Sequence, residues 1–180
     1  MAEQAPPLAP PVGDVPIVFL DIDGVALPFE NQSTARACGD RISQLCRETG
    51  AKVVISSSWR WEVLDEIGAE NWRIAHTHPR WIGIANFLRS SVNLDVPVIG
   101  FTPDHSNKEP DEDGRVFQPR GYRGEEILAW LAEHPEITQW VVLDDLEDWI
   151  GDKIGPNLVL TNGDVGFDEH ALEKAIALLG

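Results

Sequence analysis

Ile17-Val18-Phe19-Leu20-Asp21-Ile22-Asp23-Gly24-Val25 is the stretch that decides how this chain is read. Four consecutive apolar residues suit a strand buried on both faces. Two aspartates one residue apart follow, and the period of two in extended chain sends both carboxylates the same way beyond the strand's end. Gly24 permits a turn that a side chain would obstruct. Two readings stand at this point: an Asp-Gly turn in which the acids are only turn formers, and an acidic site at the carboxyl end of a strand.

Four segments repeat the apolar character: Lys52-Val53-Val54-Ile55, Val96-Pro97-Val98-Ile99, Trp140-Val141-Val142-Leu143 and Leu158-Val159-Leu160. Helical spacing falls between several of them. Residues 33–48 place Ala35, Cys38, Ile42, Leu45 and Cys46 on one face, and residues 125–132 do so with Ile127, Leu128, Trp130 and Leu131. Residues 169–179 close the chain with Ala171, Leu172, Ala175, Ile176 and Leu179. Strands alternating with helices predict an α/β fold, a Rossmann-like parallel sheet with helices on both faces. Right-handed crossovers then bring every strand's carboxyl end to one edge.

Composition bounds the rest. The chain has 180 residues, the length of one domain, and 43% are hydrophobic, which excludes global disorder. Thirty acidic against fourteen basic residues give a net charge of -16, so sequence-blind binding to duplex nucleic acid is disfavoured. No apolar run reaches the roughly 18 residues of a membrane span. The acidic, proline-rich start lacks the pattern of a secretory signal, and Cys38 and Cys46 read as reduced thiols on one helix, so a cytoplasmic location is expected. Residues 1–15, with Pro6, Pro7, Pro10 and Pro11, read as a flexible tail before a domain at 16–180. Residues 102–122 are polar and rich in breakers, which suits a functional lid or a disordered insertion.

Three further motifs bear on the acidic strand end. Val141-Val142-Leu143-Asp144-Asp145 is a second buried strand ending in aspartates, and a parallel sheet brings them to the edge that holds Asp21 and Asp23. At 4 Å and an effective dielectric of 20 each pair of carboxylates repels by about 4 kcal/mol. A hard divalent cation, Mg²⁺, is the economical counterion. The bland alternative makes Asp144 a helix cap and leaves Asp145 solvated. Ile55-Ser56-Ser57-Ser58-Trp59-Arg60 delivers three hydroxyls to the same edge, either as an anion site or as an N-cap. Arg120-Gly121-Tyr122-Arg123-Gly124-Glu125-Glu126 puts arginine at a helix start, where the dipole disfavours a cation. A phosphate partner explains that placement, and so does a surface ion pair.

Asp-x-Asp-Gly-Val after the first strand, serine after the second, a base before a helix and Asp-Asp after a later strand resemble the ordered motifs of the haloacid dehalogenase superfamily, over residues 17–162. Ile-Ser-Ser-Ser-Trp-Arg, Gly100-Phe101-Thr102-Pro103, the Arg123-Gly-Glu-Glu-Ile run and Leu-Asp-Asp resemble the small, cap-poor domains of that superfamily, some of them fused to RNA-repair proteins. The Ser-Ser-Trp turn is also similar to the Thr-Ser-Pro turn of its deoxyribonucleotidase branch. The resemblance implies a phosphatase with Asp21 as nucleophile and Asp23 as general acid and base. It implies that Ser57, with Ser58 beside it and Ser56 as the alternative one residue earlier, holds the phosphoryl group. Arg123 would neutralise charge, and Asp21, the Asp23 carbonyl, Asp144 and Asp145 would hold Mg²⁺.

Two departures mark this chain. The superfamily's third motif usually carries lysine, for which Arg123 or Arg120 stands here, and Lys108 alone lies between the third strand and the Asp-Asp strand. A cap is nearly absent, with only residues 59–122 left for insertions or a lid. A poorly covered site suits a phosphate on a nucleotide, a nucleic-acid end or a phosphoprotein, or closure by a partner or a second copy. Arg60, next to the serine turn, is expected to touch substrate. Trp59, Trp61, Trp72 and Trp81 offer stacking faces but are expected mostly to pack the insertion, while Trp130, Trp140 and Trp149 read as core or rim. Asp148, four residues after Asp144, is placed to orient the metal site. His76 and His78 read as structural or solvated. The competing readings are a phosphotransferase, a receiver-type phospho-acceptor domain and a non-catalytic binding module.

Overall fold

The computed structural model describes residues 12–106 and 108–180. The tail expected at residues 1–15 therefore lies outside the described residues as far as residue 11. Residues 12–15 already dock: Val12 and Val15 pack against the core, and the Val12 N–H donates to Glu136 Oε1 at 3.1 Å.

Five strands form one parallel sheet: β1 (Ile17–Leu20), β2 (Lys52–Ile55), β3 (Val98–Phe101), β4 (Trp140–Asp144) and β5 (Leu158–Leu160). Their order is β3-β2-β1-β4-β5, with β1 central and hydrogen-bonded in parallel register to β2 and β4. All four residues of β1 are fully buried, as an unbroken apolar run requires. The chain winds outward from β1 through β2 to β3 on one side and through β4 to β5 on the other. The crevice beyond the carboxyl ends of β1 and β4 is thus the point where the winding reverses, and such points hold ligands in open α/β sheets.

The helices are α1 (Ala35–Thr49), α2 (Trp61–Ile67), α3 (Pro79–Val92), α4 (Tyr122–Glu133), α5 (Glu147–Ile150) and α6 (Glu169–Leu179). α1 begins two residues later than its apolar spacing predicts and ends at Gly50 in a left-handed cap, with φ of +72°. Both cysteines are free and buried on it. β3 is displaced by two residues from the segment read as a strand. The β2–β3 register shifts between Val53 and Val54, and the run past Pro97 that joins the sheet includes Gly100 and Phe101. Residues 61–92, expected to hold insertion elements, form the β2–β3 crossover and bury Trp72, Ala75, Trp81, Leu88 and Val92 in the core.

α1 and α3 meet at Gly39, where a Cβ would stand 1.8 Å from the Val92 carbonyl oxygen. Gly39→Ala must part the two helices, and that overpacking outweighs the helix propensity gained, for a net loss of about 1–3 kcal/mol. In a chain of this size that lowers the melting temperature by about 2–12 °C, to be read by thermal denaturation.

The start of β1 and the last residue lie together at the amino side of the sheet. Ile17 N–H donates to the Gln139 carbonyl at 2.9 Å, and a Cβ on Gly180 would stand 3.1 Å from Gln139 Nε2. No helix among the described residues is long and apolar enough to cross a membrane.

Candidate active site

β1 ends at Leu20, so strand alternation does not place both acids of the Asp-x-Asp motif. Asp21 extends straight off the strand, its N–H donating to the Leu143 carbonyl at 3.0 Å. The chain then turns on Gly24, whose φ is +73° and whose N–H donates to the Leu27 carbonyl at 2.7 Å. That turn presents Asp23 half-buried at the crevice mouth, while Asp21 is 4% exposed.

Asp21, Asp144 and Asp145 converge as the motif order predicts: one carboxylate oxygen from each lies within 4.8 Å of the others. Asp144 is fully buried at the end of β4, and its Oδ1 accepts from the Leu146 N–H at 2.8 Å. Asp145 is cradled by backbone, because a Cβ at Gly24 or Gly163 would come within 2.8 Å of its carboxylate. Asp23 departs from the expected four-acid cluster: its Oδ2 instead accepts from the Trp59 indole Nε1 at 2.8 Å. The triad offers hard carboxylate oxygens in a glycine cradle with more negative charge than one guanidinium offsets, which fits Mg²⁺.

Arg123 supplies that guanidinium. Its Nη1 donates to Asp21 Oδ2 at 2.8 Å and to Asp144 Oδ2 at 2.6 Å, and the side chain is almost wholly buried. It reaches this depth because α4 approaches α5 closely: a Cβ on Gly124 would stand 2.0 Å from the Ile150 carbonyl oxygen. Burial alone would favour its neutral form, but Asp144 and Asp21 hold it protonated. The Trp149 ring lies 5.0 Å from its guanidinium carbon, a cation–π contact that reading Trp149 as core or rim did not include. Arg120 is turned away on the surface, paired with Asp148 at 2.9 Å and Asp152 at 3.2 Å. Asp148 is thereby engaged outside the acidic centre, contrary to expectation. Lys108 is engaged by Asp65 and Asp104.

The serine turn follows β2. Ser57 is fully buried, and its Oγ accepts from the Trp59 N–H at 3.3 Å, so the capping reading applies. Ser56 Oγ is buried with no hydrogen-bond partner among the described residues, and Ser58 lines a cavity beside Asp23. Arg60 overturns its expected role. It is fully buried, donates to the Ser57 carbonyl at 2.8 Å and pairs with buried Glu126 of α4, leaving no path to a substrate. Trp59, one residue earlier, is the side chain that reaches the acids. His78 caps α3, accepting from the Arg80 N–H at 3.3 Å, as a structural role predicts.

Burial, reinforced by the charge of Asp21, raises the Asp145 carboxyl to about 6. Burial also raises Asp144, against the pull of Arg123. A cation must displace any proton held there, so apparent Mg²⁺ affinity is expected to fall as pH drops from 7 to 5. One-proton competition weakens it about tenfold per pH unit below the pKa, measurable by calorimetric titration.

A parallel sheet with an acidic triad, a serine turn and a buried cation at the carboxyl edge of its central strands defines a haloacid dehalogenase-type α/β domain. The chain belongs to the family described as the HAD domain in Swiss Army Knife RNA repair proteins, whose model matches residues 17–172. The superfamily comprises phosphatase-type hydrolases that act on phosphorylated substrates and generally use Mg²⁺. Comparisons with curated proteins and with solved structures gave no match.

Proposed function

We infer that the protein is a Mg²⁺-dependent phosphomonoesterase working through an aspartyl-phosphate on Asp21, with a nucleotide or a nucleic-acid-end phosphate as substrate. The observation that carries the reading is the single Arg123 nitrogen held between Asp21 and Asp144, next to Asp145. Arg123 holds the Asp21 carboxylate in place, and the guanidinium has further N–H groups for the phosphoryl oxygens.

In the first half-reaction an Asp21 carboxylate oxygen attacks phosphorus, and the bond to the leaving oxygen breaks as Asp23 gives that oxygen its proton. In the second, Asp23 takes a proton from water, whose oxygen attacks phosphorus and releases phosphate with Asp21 restored. Burial raises the Asp23 carboxyl, with the Trp59 hydrogen bond pulling the other way, so Asp23 stays protonated to higher pH than an exposed aspartate. That suits a group which must first act as an acid. Ser57, and Ser56 or Ser58 beside it, would hold the transferred phosphoryl group. Asp21, Asp144, Asp145 and the Asp23 carbonyl would hold Mg²⁺, which when bound neutralises charge on the phosphoryl group.

Phosphate release from nucleoside monophosphates, 5′- and 3′-phosphorylated oligonucleotides and an aryl phosphate tests the reading. Release with Mg²⁺ and its loss in EDTA are expected, and restoration by added Mg²⁺ separates metal dependence from denaturation. A chain that releases nothing from any member of the panel sinks the catalytic reading and favours a binding module.

A further inference from the structure

A cavity of about 620 Å³ opens beside the acidic centre, walled by Trp59, Trp61, Glu62, Asp65, Arg80 and Ile84. Ligand clefts run from about 300 to 1,000 Å³. Asp23 is also in its lining. A group that leaves phosphorus with the Asp23 proton therefore departs into this space.

The two tryptophans differ. Trp59 packs against the core and is held by its bond to Asp23. Trp61 opens α2, but the core contacts of that helix come from Val63, Leu64 and Ile67. Trp61 instead lines this cavity and a smaller one next to it, and its indole Nε1 has no partner among the described residues. A half-buried indole lining open space suits a flat ligand stacked on its ring.

The charges narrow the ligand further. Arg80 is already bound by Glu62 at 2.6 Å and Glu66 at 3.5 Å, and Lys108 bridges Asp65 at 2.9 Å and Asp104 at 3.1 Å. The wall thus presents carboxylates whose cations are engaged. Exocyclic amines of a nucleobase find acceptors there, whereas a second phosphate meets like charge.

We propose that this cavity is the leaving-group site and holds the nucleoside of a mononucleotide, its base on Trp61 and its amine edge toward Glu62 and Asp65. The proposal rests on the phosphomonoesterase reading for the position of the phosphate. A phosphorylated oligonucleotide, which brings another phosphate one nucleotide away, is the disfavoured substrate.

The test compares a nucleoside monophosphate, glycerol phosphate and a dinucleotide with the same terminal phosphate, in the wild type, Trp61→Ala and Trp61→Phe. The ratio of kcat/KM for the nucleoside monophosphate over glycerol phosphate falls about tenfold in Trp61→Ala, and Trp61→Phe restores most of it. Glu62→Gln combined with Asp65→Asn raises the dinucleotide's kcat/KM relative to the mononucleotide at low salt. Calorimetry with the unphosphorylated nucleoside shows binding to the wild type that Trp61→Ala loses. A substrate ratio that Trp61→Ala leaves unchanged, or a dinucleotide preferred by the wild type, overturns the proposal while the phosphatase reading stands. Nucleoside binding that depends on Trp61, without phosphate release from any ester, overturns the phosphatase reading and with it the leaving-group role, and leaves the cavity standing as a nucleoside site. Neither binding nor release overturns both.

Discussion

Asp21→Asn is expected to lower phosphate release at least about 10³-fold against any ester the wild type hydrolyses. The replacement keeps the shape of the side chain and removes the charge and nucleophilicity of the attacking oxygen. It does not unfold the site, because Arg123 keeps its 2.6 Å bond to Asp144 and Asp145 stays in its glycine cradle. One carboxylate fewer in a buried acidic group also relieves repulsion, so the metal-free variant should melt no lower than the wild type. Phosphate release and melting temperature are measured together. More than a tenth of wild-type activity in a well-folded variant removes Asp21 from the nucleophile's role.

The second large effect is on stability. Arg60 and Glu126 are both fully buried, and Glu126 also accepts from the His105 N–H at 2.7 Å. The pair thereby ties the serine turn, the start of the 102–122 loop and α4 into one unit. Arg60→Met strands a carboxylate in the interior at a cost of about 3–5 kcal/mol, a large share of the ~5–15 kcal/mol of a typical domain. Burial already raises the Glu126 carboxyl, and Arg60 is the main influence lowering it. Without Arg60 the carboxyl rises further, so the folded state holds its proton to higher pH than the unfolded state does. The variant is therefore least stable at neutral pH and above, and recovers as pH falls toward 5. Adding Glu126→Leu should restore much of the loss at pH 7. Chemical denaturation of the single and double variants at both pH values checks the sign, and a single variant as stable as the wild type would dismiss the pair as a structural element.

Much of the fold was legible because burial writes itself into short apolar runs. Lys52–Ile55, Leu158–Leu160 and Glu169–Leu179 take the bounds their patterns predict. β3 lies two residues beyond the segment its pattern predicts because Val96 and Val98 look as strand-like as Phe101, and a register shift in pairing leaves no local mark. The convergence of Asp21, Asp144 and Asp145 followed from topology alone, since a parallel sheet gathers its carboxyl ends. Neighbourhood across the crevice was not legible. Arg60 reads locally as an arginine beside a hydroxyl turn, and nothing near it announces Glu126, sixty-six residues away. Trp59 and Asp23, thirty-six apart, meet only because the Gly24 turn and the Ser57 cap face each other.

The start of β1 and the last residue meet at Gln139, on the side of the sheet opposite the acidic centre. Ile17 and Gly180 both stand behind the sheet while the working edge faces away from them, so neither shades the crevice from an approaching ligand.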